Sequence, residues 1–498
     1  VDLHELLAGF SASLDFPGVK ISGLTSHSGQ VKKGDLFVAQ SGLTRHAIDF
    51  VADAVKAGAV AVLYDAQDSY CLQRIPLLRK QLKTLWVPVN GLNKVTGEIA
   101  SRFFGYPGHQ VKLVGITGTD GKTSVTHLLV QALTRMNLKA GSIGTLGYGV
   151  SNHLKMTSYT TPDAITLQSL LSELQLAGSE YVVMEVSSHA LEQYRVNGCR
   201  FDIAVLTNLG SDHLDYHETL EQYAQAKSML FEFPGLAARV LNVEDDLGQR
   251  LLQQNSQMDT VSYSARVQSG QPASVKLKHS RMTEKGLQIS VQTGAGSLTL
   301  QTGLIGSFNI DNCLACISVL MLLGFDLSRI EQSMQGIKPI PGRMEYFPST
   351  PNQAAAVVDF AHTAQALEAC LNALKDYTDG ELYCVFGCGG DRDQSKRPLM
   401  GSVAERLADH VILTDDNPRS EPAEKIMQDI LAGFKKPQKV RVIHDREKAI
   451  QTAMHLAQPQ DLVVVAGKGH EQIQIVGENR LAFSDHKVLS RLRQRSAQ

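Results

Sequence analysis

Residues 111–126, VKLVGITGTDGKTSVT, constrain the fold more than any other part of the chain. The apolar run 111–116 reads as a buried strand. Thr117-Gly118-Thr119-Asp120-Gly121-Lys122-Thr123 then breaks it, and a helical pattern begins near Ser124. Strand, glycine loop and helix in that order form a phosphate-binding unit. Backbone N–H groups turn toward phosphate oxygens, a lysine pairs with the outer phosphates, and a threonine hydroxyl can ligate Mg²⁺. The loop departs from the strict G-x-x-x-x-G-K-[ST] spacing, because Ile116 stands five residues before Gly121. An ordinary glycine turn would leave the Lys122-Thr123 pair unexplained, so ATP is the working ligand.

A chain of 498 residues, 43% of them hydrophobic, can bury large cores, and at about 150 residues per domain it divides into about three. A formal net charge of −2 gives no electrostatic footprint for nucleic acid or a membrane surface, which leaves small molecules as the expected partners. No apolar run approaches the roughly 20 residues that span a bilayer. Residues 1–10 carry no basic segment followed by an apolar one. Seven scattered cysteines suit a reducing compartment, so a cytoplasmic location is expected. Cys313 and Cys316 form a C-x-x-C inside the apolar helical pattern NIDNCLACISVLMLL and read as core packing, not redox or zinc chemistry.

Residues 1–108 alternate helical and strand patterns without a chemical motif and read as a small α/β binding domain, closed by the turn signal Tyr106-Pro107-Gly108. Residues 109–340 alternate strands with helices, which predicts a mostly parallel central sheet with helices on both faces. The short alternating strands of 258–302 read as a small antiparallel addition. Two prolines within 336–341 mark the next boundary. Residues 341–498 then read as a second doubly wound, Rossmann-like α/β unit, with strands near 354–360, 382–386, 410–413, 439–443 and 461–466.

In open α/β sheets, ligands gather beyond the carboxyl ends of the strands. Glu185 ends the strand YVVME there, and His213 follows the next strand in TNLGSDHLDYH. With Thr123, these two are the candidates for a Mg²⁺ site. His213 and His217, four apart, would also suit zinc, but no H-E-x-x-H pattern exists and Asp215 interrupts the face. Lys227, in YAQAK, reads by itself as a surface lysine. In the last unit, Arg392, Arg419 and Glu471 stand on loops after strands. Arginine forks bind carboxylates and an acid pairs with an ammonium, so together they suit an amino acid.

GTDGKTS, EVSSHALEQYR, TNLGSDHLDYH, YAQAK, GSFNIDN, PGRMEYF, VVDFAHTAQALE, FGCGGDRDQSKRPLMG, DDNPR and AGKGHE occur in the order seen in the Mur ligases of peptidoglycan synthesis. The chain resembles that family over nearly its whole length, and most of all its members that add the third amino acid. The resemblance implies an N-terminal UDP-substrate domain (1–108), a central ATP-binding domain (109–340) and a C-terminal amino-acid-binding domain (341–498). It also implies a cytoplasmic, monomeric ligase without nucleic-acid or membrane partners. ATP would phosphorylate the D-glutamate carboxylate of UDP-N-acetylmuramoyl-L-alanyl-D-glutamate, and an amine would then displace the phosphate to form an amide.

Residue by residue, Gly118, Thr119, Asp120, Gly121, Lys122, Thr123 and Ser124 resemble the ATP loop. Asn309, Asn312, Arg343 and Asp359 resemble positions that hold adenosine or bridge domains. Lys122, Glu185, His213 and Lys227 are the implied catalytic set, with Thr123, Glu185 and His213 on Mg²⁺. Lys227 matches the lysine that the family carries as a carbamate (N6-carboxylysine). Ser28, Thr160, Thr161, Ser187, Gln193 and Arg195 resemble the nucleotide-dipeptide site. Arg392, Asp416, Asn417, Pro418, Arg419, Gly467 and Glu471 resemble the pocket for the third amino acid.

The sequence Asp416-Asn417-Pro418-Arg419 is associated in the family with meso-diaminopimelate, whose far carboxylate an arginine can clamp. L-lysine, a folylpolyglutamate-type reaction or an NTPase switch remain the alternatives. The chain departs from the family at Asp120, commonly asparagine, and at Phe360 and Ala364, commonly tyrosine and proline. His27-Ser28-Gly29 stands in place of Asp-Ser-Arg, so only Ser28 carries over there, and the next uridine loop is 42–45.

Overall fold

The computed structural model describes residues 1–496 apart from 12–15, 17, 43–44, 151–152, 158, 211, 213, 255–256, 267–272, 284–285, 376 and 379. Three main sheets organise the chain, and the expected three-part α/β architecture holds. In the first, strands Gly23–Thr25, Asp35–Ala39, Ala61–Asp65 and Leu85–Val89 lie parallel in sequence order. Side chains of a strand alternate between faces. Leu36 and Val38 accordingly pack with Leu3, Leu7 and Ile99, while Phe37 and Ala39 pack with Val51, Ala54 and Ile75 on the opposite face.

The strand Lys112–Thr117 is central in an eleven-stranded sheet, between Ile203–Leu206 and Tyr181–Glu185, both parallel to it. Ala238–Asn242 and Asp259–Ser264 extend the parallel array on one side and Ala140–Gly144 on the other. The Phe308–Leu322 helix covers one face, and Cys313 and Cys316 are fully buried in that core. All seven cysteines are free and buried, as the packing reading of the C-x-x-C requires.

The small antiparallel addition expected at 258–302 holds for its three strands: Val275–Thr283, Gly286–Thr293 and Gly296–Gln301 pair antiparallel in sequence order. Its start is corrected, because Asp259–Ser264 pairs parallel to Ala238–Asn242 and Val275–Thr283 joins it parallel, so that all four belong to the central sheet. The period-2 pattern sets the strand but not its partner. Tyr263, buried, ties this strand inward through hydrogen bonds from its hydroxyl to the carbonyls of Leu206 (3.2 Å) and Thr207 (3.3 Å). The opposite edge ends in a second antiparallel ribbon, Gly147–Val150 with His153–Lys155, which the sequence did not signal.

The third sheet runs Glu345–Phe347, Ala355–Asp359, Leu462–Ala466, Leu382–Phe386, His410–Leu413, Arg441–Val442, parallel except for its first strand. Leu462–Ala466, the last of these in the chain, lies between Ala355–Asp359 and Leu382–Phe386. The loops after these strands therefore emerge side by side at one edge. Among the described residues, no helix is long and apolar enough to cross a membrane.

The first two sheets are joined where two glycines meet. A Cβ on Gly97, in the Leu92–Phe103 helix, would stand 1.9 Å from the Asn197 carbonyl, and one on Gly198 would stand 2.2 Å from the Gly97 carbonyl. Asn197 Nδ2 donates to the Lys94 carbonyl at 2.7 Å across the same contact. Alanine at position 97 would gain about 1 kcal/mol of helix propensity, but backbone overlap of this depth outweighs it. Gly97→Ala is expected to lower stability by about 1–3 kcal/mol in denaturant unfolding; a neutral or stabilising result would contradict the contact.

Candidate active site

Gly118 (φ +150°) and Gly121 (φ +82°) shape the loop after the central strand. A Cβ on Gly118 would lie 1.8 Å from Thr207 Oγ1, and one on Gly121 2.7 Å from Asn312 Oδ1, so both positions require glycine. Asn208 braces the loop: its Oδ1 accepts the N–H groups of Thr119 (3.1 Å) and Asp120 (2.8 Å). Thr207 Oγ1 donates to the Asp120 carbonyl at 2.6 Å. Lys122 begins the helix Lys122–Arg135, and its Nζ donates to the carbonyls of Gly118 (2.8 Å) and Thr119 (2.7 Å). Burial lowers the Lys122 pKa, and Glu185 and Asp120 oppose that shift.

Thr123 Oγ1 donates to Glu185 Oε2 at 2.9 Å, and both groups are buried. Thr145 holds the same carboxylate through its N–H on Oε1 (2.8 Å) and its hydroxyl on Oε2 (3.1 Å). Lys227 is 1% exposed, which removes the surface-lysine reading. Its Nζ donates to the Gly118 carbonyl at 2.8 Å and lies 4.0 Å from the centre of the Tyr223 ring. Burial first, and the Lys122 charge second, push its pKa well below the usual lysine range. Asp212 and Tyr223 join these residues around a cavity of ≈ 250 Å³ that also reaches Thr160, Ser187, Arg343, Phe360 and His362. His213 lies outside the described residues, as does part of the 42–45 loop.

Thr123 and Glu185 offer oxygen donors, which fit a hard cation such as Mg²⁺. A second cluster, His46, Asp68 and Cys71, has the ligand types of a metal site. His46 Nδ1 accepts the Ile48 N–H (3.0 Å), so the neutral ring carries its proton on Nε2, which points at Asp68 Oδ2 (3.0 Å). That nitrogen has no lone pair for a metal, and the cluster is a hydrogen-bonded helix cap.

Next to Glu185, Thr161 Oγ1 donates to the Glu185 carbonyl (2.9 Å) and accepts the Ser187 N–H (3.1 Å). Arg195 Nη1 donates to the Thr161 carbonyl (3.0 Å), and its Nε donates to Gln193 Oε1 (3.0 Å). Thr160, Thr161, Ser187, Gln193 and Arg195 are thus gathered on one wall. Ser28, in the first domain, does not line the cavity that Thr160 and Ser187 border. Its neighbours His27 and Gly29 line a separate ≈ 670 Å³ cavity with Asp163 and Thr166, but Ser28 itself does not.

A further ≈ 250 Å³ cavity opens behind the loop, between the second and third sheets, lined by Asn312, Asp311, Tyr263, Arg343, Asp359 and Phe360. Asn309 sits behind Asn312 and accepts its amide N–H at 2.8 Å. Arg343 stacks over Phe360 at 4.4 Å. Asp359 receives the N–H groups of Met344 (2.7 Å) and Ala361 (2.8 Å). Asp311, which sequence reasoning did not single out, has its pKa pushed up to about 6 by burial and then by Glu244.

On the third domain, Asn417 Nδ2 donates to Glu471 Oε2 at 2.8 Å, and Asp416 is buried beside Gly467, where a Cβ would lie 2.8 Å from Asp416 Oδ2. Arg419 has a left-handed backbone (φ +52°). Its N–H is held by the Ile475 carbonyl (3.1 Å), and its Nη1 donates to the Gly390 carbonyl at 2.7 Å. Burial and then the neighbouring Arg392 charge lower the Arg419 pKa. Pro418 packs over Gly390, where a Cβ would stand 1.9 Å from the Pro418 carbonyl.

Sequence reasoning missed Thr145, Asn208, Asp212, Tyr223 and Lys468. Four of them had a signal: Asn208 and Asp212 lie in the TNLGSDHLDYH segment, Lys468 lies in AGKGHE, and Tyr223 is four residues before Lys227 on the helix Leu220–Ser228. Thr145 follows a strand without any motif.

Comparison with known proteins matches three family descriptions in order: Mur ligase family, catalytic domain, over residues 20–104; Mur ligase middle domain over 116–320; and Mur ligase, glutamate ligase domain, over 342–469. The UDP-N-acetylmuramoyl-L-alanyl-D-glutamate--2,6-diaminopimelate ligase of Coxiella burnetii is 44% identical over 94% of each chain, and that of Pseudomonas putida 43% identical over 93% of each. A solved structure of a ligase with the same name superposes with a TM-score of 0.71 at 31% identity, covering 100% of this chain and 99% of that one.

The depressed Lys227 pKa has a signed consequence. A lysine that binds its proton more weakly when folded disfavours the folded state below the unfolded pKa, near ~10.4, and the penalty fades as pH rises toward that value. In bicarbonate-free buffer, the Tm of Lys227→Met relative to wild type is therefore expected to fall as the pH is raised toward about 10. A pH-independent difference would show that Lys227 is an ordinary cation.

Proposed function

The chain belongs to the Mur ligase family, and from that premise we propose that it joins meso-2,6-diaminopimelate to the D-glutamate of UDP-N-acetylmuramoyl-L-alanyl-D-glutamate, with ATP, as a cytoplasmic monomer in peptidoglycan precursor synthesis. It is an ATP-dependent ligase. One observation carries the reading: a single cavity is lined by the phosphate loop, by Thr160 and Ser187 of the nucleotide-dipeptide wall, and by Arg343, Phe360 and His362 of the third domain. Phosphoryl donor, acceptor carboxylate and the domain bearing the amino-acid pocket address the same space.

A carboxylate is a poor acyl electrophile until one of its oxygens becomes a phosphate leaving group. Transfer of the γ-phosphoryl group to the D-glutamate carboxylate gives an acyl phosphate and ADP. The substrate amine attacks the acyl carbon, phosphate leaves, and an amide remains. Lys122 and the loop N–H groups stabilise charge on the phosphates. Thr123 and Glu185, with His213, would hold Mg²⁺, which when bound neutralises phosphate charge. Burial disfavours the charged form of Lys227; as a neutral amine it would be nucleophilic toward carbon dioxide, and its carbamate would place a further anionic oxygen donor beside Thr123 and Glu185. Asn309, Asn312, Arg343 and Asp359 bound the adenosine side. Arg392, Arg419, Asn417 and Glu471 receive the amino acid. A lysine substrate would set its terminal ammonium against Arg419, and this disfavours L-lysine as the third residue.

Phosphate release is expected only when nucleotide dipeptide and diaminopimelate are both present; release indifferent to the amine would favour an NTPase switch and end the ligase reading. Arg419→Ala is expected to raise the KM for diaminopimelate by at least about thirtyfold, the low end of the ~2–5 kcal/mol for a desolvated charge pair, and to leave that for ATP nearly unchanged. Equal effects on both substrates would remove Arg419 from the pocket. With ¹³C-bicarbonate, a carbamate carbon resonance is expected in wild type and not in Lys227→Ala; the same spectrum from both would rule out carbamylation at this lysine.

A further inference from the structure

Lys468 lies between Gly467 and Gly469 on the loop after the Leu462–Ala466 strand and is 0% exposed. An ammonium at that depth needs its donors used. Its Nζ donates to Glu471 Oε2 at 2.6 Å and to Asn417 Oδ1 at 3.0 Å. Asn417 Oδ1 also accepts the Ile475 N–H at 2.9 Å, while Asn417 Nδ2 donates to Glu471 Oε2 at 2.8 Å. The amide orientation is therefore fixed from both ends, because a flipped Asn417 would turn its NH₂ group onto an ammonium and an N–H. Two donors thus hold Glu471 Oε2, and among the described residues no donor reaches its Oε1.

Of the other charges around this loop, Arg446 is taken up by Asp485 in a fully buried pair at 2.8 Å. Arg419 also acts on Asp416 and Glu471. The outer oxygen, Glu471 Oε1, is the part of the carboxylate left open to a ligand.

We infer that Lys468 is a positioning residue of the amino-acid subsite: acting through Asn417 and Glu471, it locks the carboxylate so that the outer oxygen, Oε1, receives the substrate's ammonium group. The inference rests on the ligase reading above. A mere counter-charge would compete with the substrate for Glu471, and its removal would improve binding. A positioning group has the opposite sign, because without it the carboxylate and the amide are free to turn.

The test uses the full chain, with phosphate release measured against diaminopimelate at saturating ATP and nucleotide dipeptide. Lys468→Met is expected to raise the KM for diaminopimelate about tenfold or more while the KM for ATP stays within about twofold. In a Glu471→Gln background the same substitution should add less than about twofold, because the two residues act as a unit. An unchanged or lowered KM, a fully additive double variant, or equal losses for ATP would each overturn the inference. If Lys468→Met does not fold, Lys468→Gln keeps one donor at the site and carries the same comparison. A wild-type protein that ignores diaminopimelate would instead sink the ligase reading, which separates the two failures.

Discussion

Two lysine amines converge on one oxygen. Lys122 Nζ and Lys227 Nζ each stand 2.8 Å from the Gly118 carbonyl, on a loop whose φ at Gly118 no other residue could share beside Thr207. Two ammonium groups sharing one buried acceptor repel one another and lack water to screen them. The conflict is settled unequally. Lys122 has Glu185 and Asp120 in support; at Lys227 the Lys122 charge adds to desolvation, against Asp212, Asp120 and Asp245. The charged form is thereby disfavoured more strongly at Lys227 than at Lys122.

This arrangement explains how far the sequence could be read. The strand, glycine loop and Lys122-Thr123 pair are contiguous, so their chemistry is legible from spacing alone. The strands of the third sheet are apolar runs between turn signals, and four of the five expected ones lie within a residue of where the pattern puts them; only 439–443 shrinks, to Arg441–Val442. Lys227 is different. YAQAK offers only Tyr223, one helical turn before it, as a hint of burial; the carbonyl that holds its amine, at Gly118, is over a hundred residues away. The lysine became legible only through family resemblance. The antiparallel strands of 275–301 were legible, but the parallel pairing of Asp259–Ser264 at their base was not, because alternation fixes which side chains face the core but not whether the partner runs parallel.

Positive-φ geometry marks the amino-acid pocket as it marks the loop. Arg419 pays for a left-handed backbone of a kind usually left to glycine, and main-chain bonds on both sides hold it there, its N–H on Ile475 and its carbonyl under the Gly477 N–H at 2.7 Å. Gly389 and Gly390 leave the space that its guanidinium and Pro418 occupy. The fork is thus aimed by a hairpin, Ile473–Val476 with Asn479–Ala482, that contains no motif residue. The DNPR tetrapeptide names the guanidinium; the hairpin supplies its direction.

The GKGHE segment joins these two halves. A Cβ on Gly469 would meet the Gly342 carbonyl at 2.6 Å, and one on Gly342 would meet the His470 nitrogen at 2.0 Å, so the two backbones lie against each other without side chains between them. Gly342 precedes Arg343, which borders both cavities beside the phosphate loop. On the other flank, Lys468 and Glu471 set the amide and carboxylate of the amino-acid pocket. Contacts this close transmit displacement, because backbone atoms cannot yield as a flexible side chain can. Arg343, which borders both cavities, and the Lys468–Glu471 pair therefore share one rigid junction within the third domain.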